Sequence, residues 1–420
     1  MKGGEGSTKL FRHSLFLFMT TQVANVSNLL YQVVTGRNLT TEEYGVLATM
    51  MSLLLITATP MEALRTSMAH YVARAIRLGR EGTIPAMVGL WCRRLLLVAV
   101  PIVGLGFAFS SQVAVFFQLP SPKPFELTCL LIACTLFLPL LVGVFQGAER
   151  FIWLSMSMHV WTILRVGIAY VLVLWVPSAF FGIAAHGLAL ALALLISAIG
   201  LFQMTRGRVA EPVEEGMGGY FVRTLLLLGA YAVLMNADLL FVKHLFEPED
   251  AGLFARAATI GRSVIFLPMP IALVMFPKVV SIGKGGREGQ LTLLKAMGLV
   301  VALVSAAVAA VMIVPWLPLW LMYNDRTPTP EMIHLLISVV IAMAPLGISY
   351  LLINYEMARH HFEGIWILGG GAVLYVVGVV IWHDTMLDVV RVMTAVNTLT
   401  LISLAGLMFR RTRTPKHIRR

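Results

Sequence analysis

About a dozen apolar runs follow one another along this chain, joined by short polar connections. A helix of about 20 apolar residues crosses the hydrocarbon core of a bilayer, whereas a membrane strand needs only about 9–11. Backbone groups in lipid must be satisfied within the segment or in a closed barrel, so runs of this length specify helices. The expected fold is an all-α polytopic membrane protein. The first six runs cover residues 14–35, 44–71, 88–117, 125–145, 153–176 and 181–204. The second six cover 220–244, 251–276, 291–322, 331–355, 363–382 and 387–409. Only 13% of the residues are charged, about half the share in soluble domains.

The formal net charge is +11, but its placement excludes a nucleic-acid face. Basic residues gather in alternate connections: Lys9 and Arg12, then Arg74, Arg77 and Arg80, then Arg150, Arg206 and Arg208. The pattern continues through Lys278, Lys284 and Arg359 to a basic tail at 410–420. The intervening connections carry Glu42, Glu43, Glu247, Glu249, Asp250, Asp325 and Asp384. The positive-inside rule then places both termini in the cytoplasm and requires an even number of helices. Seven of the eight tryptophans fall near proposed helix ends, as an interfacial belt requires; Trp161 lies mid-span. Cys92, Cys129 and Cys134 form neither a disulfide framework nor a metal-binding spacing, and no cofactor motif or Walker loop occurs.

The chain also repeats itself. Thr35 to Ala48 and Met235 to Arg262 both read as the end of an apolar helix, an acidic turn and the start of the next helix. Aligning Gly252 on Gly45 places Glu249 on Glu42, Asp250 on Glu43 and Ala255 on Ala48. Pro60 and Pro268 occupy similar places in helices two and eight, and Pro139 and Pro345 in helices four and ten, so paired kinks are expected. The expected organisation is an N-terminal lobe at 1–206, a cytoplasmic linker at 207–219, a C-terminal lobe at 220–409 and the tail at 410–420.

Polar groups inside these runs are the candidate functional residues, because a charge at mid-bilayer costs about 2.5–3.5 kcal/mol on insertion scales. Thr21, Asn25, Asn28 and Gln32 share one face of helix one. They suit either the wall of a hydrated cavity for a hydroxyl-rich cargo or hydrogen bonding between helices. Arg165 is near the middle of helix five, with Trp161 one turn before it and no acid in that helix. It suits either an anionic headgroup or a structural ion pair, and the indole suits a sugar or the guanidinium itself. On helix eight Arg256, Thr259 and Arg262 share a face, and Asp238 on helix seven is the expected partner of Arg262, in a structural or a functional pair. Glu62 and Arg65 on helix two have the spacing of a local pair. Asp238 and Glu62 are also the candidates for coupling to an ion. His70, His159, His186 and His244 read as packing or helix-end residues. Four arginines against two acids give the interior a cationic bias, which favours phosphate or diphosphate over a cationic drug.

The run Gly36-Arg-Asn-Leu-Thr-Thr-Glu-Glu-Tyr-Gly45 resembles the first outer turn of the polysaccharide flippase branch of the multidrug/oligosaccharidyl-lipid/polysaccharide exporter superfamily. Asp238 to Gly252 with Phe254-Ala-Arg-Ala-Ala258 resembles the matching turn of its second half, and Val144-Phe-Gln-Gly-Ala-Glu-Arg-Phe151 also resembles that branch. The resemblance implies a MATE-like, V-shaped pair of six-helix lobes in a bacterial cytoplasmic (inner) membrane. It implies a flippase that moves a polyprenyl-diphosphate-linked oligosaccharide from the cytoplasmic to the outer leaflet for cell-surface polysaccharide synthesis. The partners it implies are membrane lipids and polysaccharide polymerase or synthase machinery. On that reading Arg165, Arg262 and Arg65, with Arg256 nearby, face the diphosphate, and Trp161 and the Thr21–Gln32 stripe face the glycan. The drug-extrusion branch couples to cations through a carboxylate in helix one, which is missing here. A cation-coupled exporter of small amphiphiles is the alternative.

Overall fold

A computed structural model of the chain describes residues 3–206, 218–268, 271, 287–359 and 361–413. Most of the expected linker, Arg208, Lys278, Lys284 and the end of the basic tail lie outside the described residues. Every element is helical among those described. The chain divides into two compact units, Met1–Leu225 and Leu226–Arg420.

The first unit contains α1 (Gly3–Asn38), α2 (Thr41–Arg77), α3 (Thr83–Ala108), α4 (Ser110–Phe116), α5 (Lys123–Thr135) and α6 (Leu138–Gly147). It continues with α7 (Phe151–Ser155), a π-helical turn (Met156–Val160), α8 (Trp161–Trp175) and α9 (Ala179–Thr205). Helix α10 (Gly218–Leu245) begins in this unit and carries the chain into the second. There it is followed by α11 (Pro248–Phe266), α12 (Arg287–Ile313), α13 (Trp316–Tyr323), α14 (Pro330–Ala358), α15 (Gly364–Ile381) and α16 (Met386–Arg413).

Among the described residues, ten helical stretches are long and apolar enough to cross a membrane, so the chain is a multi-pass membrane protein. Helices α1 and α11 are outside that set. They carry the polar stripe and the Arg256–Arg262 face, which lower their hydropathy. Several expected single runs are broken into pieces: α3 with α4, α5 with α6, and α7 with the π turn and α8. The paired prolines do not act alike. Pro60 and Pro345 sit inside continuous helices, whereas Pro139 lies at the start of α6 and Pro268 follows the end of α11. A proline costs one helical hydrogen bond and a clash with the preceding turn. Whether the helix continues then depends on its packing. The carbonyl of Ala342, close to Pro345, accepts from Asn397 at 2.9 Å.

The two acidic turns both start a helix. Thr40 caps α2, its hydroxyl accepting from the Glu43 amide at 3.3 Å, with Glu42 and Glu43 in the first turn. Helix α11 begins with Pro248, Glu249 and Asp250. Carboxylates in the first turn favour the helix dipole. Glu43 does more, because its Oε2 accepts the Ala179 amide at 2.5 Å and so caps α9 from a neighbouring helix.

Close packing fixes the helices that carry the site. A Cβ on Gly143 would lie 2.6 Å from the Arg65 carbonyl, and one on Gly147 would lie 2.4 Å from that of Ala69. These two glycines, four residues apart, let α6 lie against α2 at backbone distance. Leu64, Met68 and Val72 then pack with Leu140, Val144 and Ile84. Tyr31, Ala169 and Ala185 form a smaller cluster that joins α1, α8 and α9. In the second unit α14 packs on α11, α12 and α16.

Candidate functional site

The polar centre of the first unit lies where α1, α8 and α9 meet. The π turn contains an extra residue per turn, a feature common at functional sites, and ends at Trp161. Ser157 in this turn accepts a hydrogen bond from Ser197 at 2.8 Å, and Thr162 donates to the His159 carbonyl at 2.6 Å. Four residues after Trp161, on the same face of α8, comes Arg165.

Arg165 is buried, with 7% of its surface exposed. Its Nη2 donates to Asn28 Oδ1 at 2.6 Å, and its Nη1 donates to His186 Nδ1 at 2.9 Å. A guanidinium only donates, so His186 must be the tautomer with a bare Nδ1. The Arg165 Cζ lies 4.0 Å from the Tyr31 ring centroid and 5.3 Å from that of Trp161. Two aromatic faces at these distances stabilise a cation without neutralising it. Trp161 also meets His186 edge to face, with ring centroids 5.2 Å apart. Tyr31 donates to the Gly182 carbonyl at 3.0 Å, which fixes its ring against α9. Among the described residues the buried Arg165 Nε has no hydrogen-bond partner. Among the described residues no carboxylate pairs with this guanidinium. One full positive charge is therefore held in place by neutral groups.

The rest of the stripe makes separate contacts. Gln32 accepts from the Tyr44 hydroxyl at 3.1 Å, and Thr21 lies 3.3 Å from His159 Nε2. Asn25 and Asn28 are exposed. Asn28, Trp161 and Arg165 thus share one cluster, whereas Thr21 and Gln32 belong to flanking contacts of α1. Tyr31 and His186 complete the cluster and are absent from the sequence-based set. Tyr31 carried a signal, since it stands three residues after Asn28 and beside Gln32. His186 carried none, because its neighbours in α9 are apolar.

Among the remaining charged candidates, Arg65 and Arg262 are paired with acids, and Arg256 lies against an aromatic ring. Arg65 donates from Nε to Glu62 Oε2 at 2.6 Å and from Nη1 to Gln146 Oε1 at 2.7 Å. In the second unit Arg262 Nη2 donates to Asp238 Oδ1 at 2.5 Å, and its Nε donates to the Met235 carbonyl at 3.0 Å. Both are buried, Asp238 completely. Among the described residues Asp238 Oδ2 and the Tyr375 hydroxyl have no hydrogen-bond partner. Arg256 is half-buried, with its Cζ 5.2 Å from the Tyr323 ring centroid. Among the described residues no cluster of three metal-binding side chains occurs.

Three solved structures place this helix arrangement among known folds. An inward-facing multidrug resistance MATE family transporter of the MOP superfamily matches with a TM-score of 0.71 and 15% identity, over 93% of this chain and 94% of that one. The lipid II flippase MurJ in an inward closed conformation matches with a TM-score of 0.70 and 10% identity, over 94% and 87%. A MOP superfamily transporter from Pyrococcus furiosus, described by the reverse polarity of its binding pocket, matches with a TM-score of 0.66 and 13% identity, over 96% and 95%. The chain has the MATE fold. No protein-family model and no curated protein matches its sequence. The MATE fold carries both drug transporters and a lipid flippase in these structures, so the fold by itself assigns no function.

Proposed function

We propose that this MATE-fold chain is a transporter that moves a polyprenyl-diphosphate-linked oligosaccharide from the cytoplasmic to the outer leaflet of a bacterial cytoplasmic membrane. The observation that carries this reading is Arg165, a buried guanidinium whose partners are all neutral. An isolated buried charge is costly, so retaining one with no acid beside it favours a cargo that brings the acid. A diphosphate does so, and a guanidinium fork binds phosphate oxygens in pairs. Trp161 and the amides of Asn25, Asn28 and Gln32, with Thr21, supply stacking and hydrogen-bonding groups for a glycan. A cationic drug asks for the opposite sign at this place. Likeness in fold to a lipid II flippase supports a lipid-linked cargo. Arg65 and Arg262 are held by Glu62 and Asp238, so the reading gives the diphosphate to Arg165 first.

The test is complementation of a strain that depends on this protein, with Arg165→Ala and Arg165→Lys expressed at the wild-type level. Both are expected to lose activity by about tenfold or more. Lysine keeps the charge but cannot reach Asn28 and His186 together in the fork geometry. Full activity of Arg165→Ala would remove the diphosphate role.

A further inference from the structure

We propose that the second unit carries a separate site, on its outer side, for the phosphate ester headgroup of an outer-leaflet lipid. A groove of about 390 Å³ runs between α14 and α16. Both helices enter the membrane from connections on the acidic side, which contain Asp325 and Asp384 and are placed outside by the charge pattern. Along α14 the lining residues are His334, Ser338 and Ile341, and along α16 they are Leu387, Val390, Arg391, Thr394 and Ala395. At about 1.5 Å of rise per residue, His334 and Arg391 both lie about 6–8 Å below the starts of their helices. Ile341 and Ala395 lie about 13–17 Å below. The groove therefore holds an imidazole and a guanidinium within about two turns of the interface and the Ser338 and Thr394 hydroxyls about 12 Å down, with Leu387, Val390, Ile341 and Ala395 as apolar wall along its length, so it offers donors to a phosphate ester and apolar surface to the chains that follow it.

Arg391 is mounted for this role. Its Nη1 donates to Asp388 Oδ1 at 2.7 Å, while 76% of its side-chain surface stays exposed. Asp388 is held in turn by Thr385, which donates its hydroxyl to Oδ2 at 2.7 Å. Thr385 and Asp388 form a reciprocal cap on α16, the Asp388 amide donating to Thr385 at 3.2 Å. One guanidinium N–H is fixed by Asp388, and the other donors of the fork are available to a phosphate oxygen. The site is independent of Arg165 and does not rest on the identity of the transported cargo.

The test is photolabelling of the full-length protein in lipid nanodiscs, followed by mapping of the labelled peptides. The probes are photoactivatable phosphatidylglycerol and, as a neutral control, photoactivatable diacylglycerol. Phosphatidylglycerol is expected to label α14 and α16. Labelling should fall by about tenfold in the His334→Ala/Arg391→Gln double variant, the loss of a charge-assisted contact, and should persist in Arg165→Ala. Ala395→Leu, which crowds the apolar wall and leaves the polar groups, should also reduce it. Competition by unlabelled polyprenyl phosphate above that by phosphatidylglycerol would make a polyprenyl phosphate the occupant, and equal competition would make it bulk lipid. Equal labelling of wild type and double variant, equal labelling by diacylglycerol, or full competition by free inorganic phosphate would overturn the proposal.

Discussion

A guanidinium kept from water must be held by its neighbours, and Arg165 and Arg262 are held in opposite ways. Asp238 neutralises Arg262, which also donates to the Met235 carbonyl. Breaking a buried pair costs about 3–5 kcal/mol because the remaining charge is stranded, whereas removing both charges is often neutral. Asp238→Asn and Arg262→Met alone are expected to lower thermal stability in detergent strongly, and the double variant to recover most of the loss. A double variant as unstable as the singles would contradict a structural pair. Arg165 has no such partner to strand, so Arg165→Met is expected to fold with near wild-type stability while losing transport. Glu149 presents a different residue-scale cost. It adopts φ 54°, a left-handed backbone, in the turn after α6. Replacement by glycine removes a steric cost of about 1 kcal/mol and is expected to raise the melting temperature without affecting transport.

Helix positions depend on contacts that differ in how visible they are from sequence. Gly143 and Gly147 bring α6 against the α2 backbone. Gly147→Val is expected to destabilise the first unit by several kcal/mol, as overpacking against a carbonyl leaves no rotamer to yield. Glu43→Gln should cost about 1 kcal/mol, since an amide oxygen caps α9 less well than a carboxylate. Both are measurable by thermal unfolding. The helix-opening turns were legible because threonine, proline and paired acids have a local mechanism for starting a helix. The stripe on α1 and the Trp161–Arg165 spacing were legible for the same reason, since one helix's periodicity defines them. The break between α7 and α8 was not legible. Phe151 to Trp175 is a continuous apolar run with no proline and its only glycine, Gly167, well after the break, and the π turn is tied to α9 by the Ser157–Ser197 pair. His186 was missed because its partner stands 21 residues away on another helix. Pro60 lies inside a continuous α2 whereas Pro268 follows the end of α11, a difference that the repeat in the sequence does not encode.

For the whole molecule, the charge pattern and the MATE fold together give a multi-pass membrane body, and on the proposed function its cargo is chosen by the sign of a buried charge. Moving about two negative charges outward gains about 2.3 kcal/mol per charge per 100 mV, inside negative. The membrane potential therefore favours export of a diphosphate without a nucleotide site. The most direct measurement is flux of a fluorescent polyprenyl-diphosphate oligosaccharide in proteoliposomes under an imposed potential. Wild-type protein is expected to move it towards the positive side at a rate that rises with the potential, and Arg165→Ala to abolish that movement. Equal flux through Arg165→Ala, or wild-type flux that ignores the sign of the potential while following a sodium or proton gradient, would contradict a cargo recognised and driven by its negative charge.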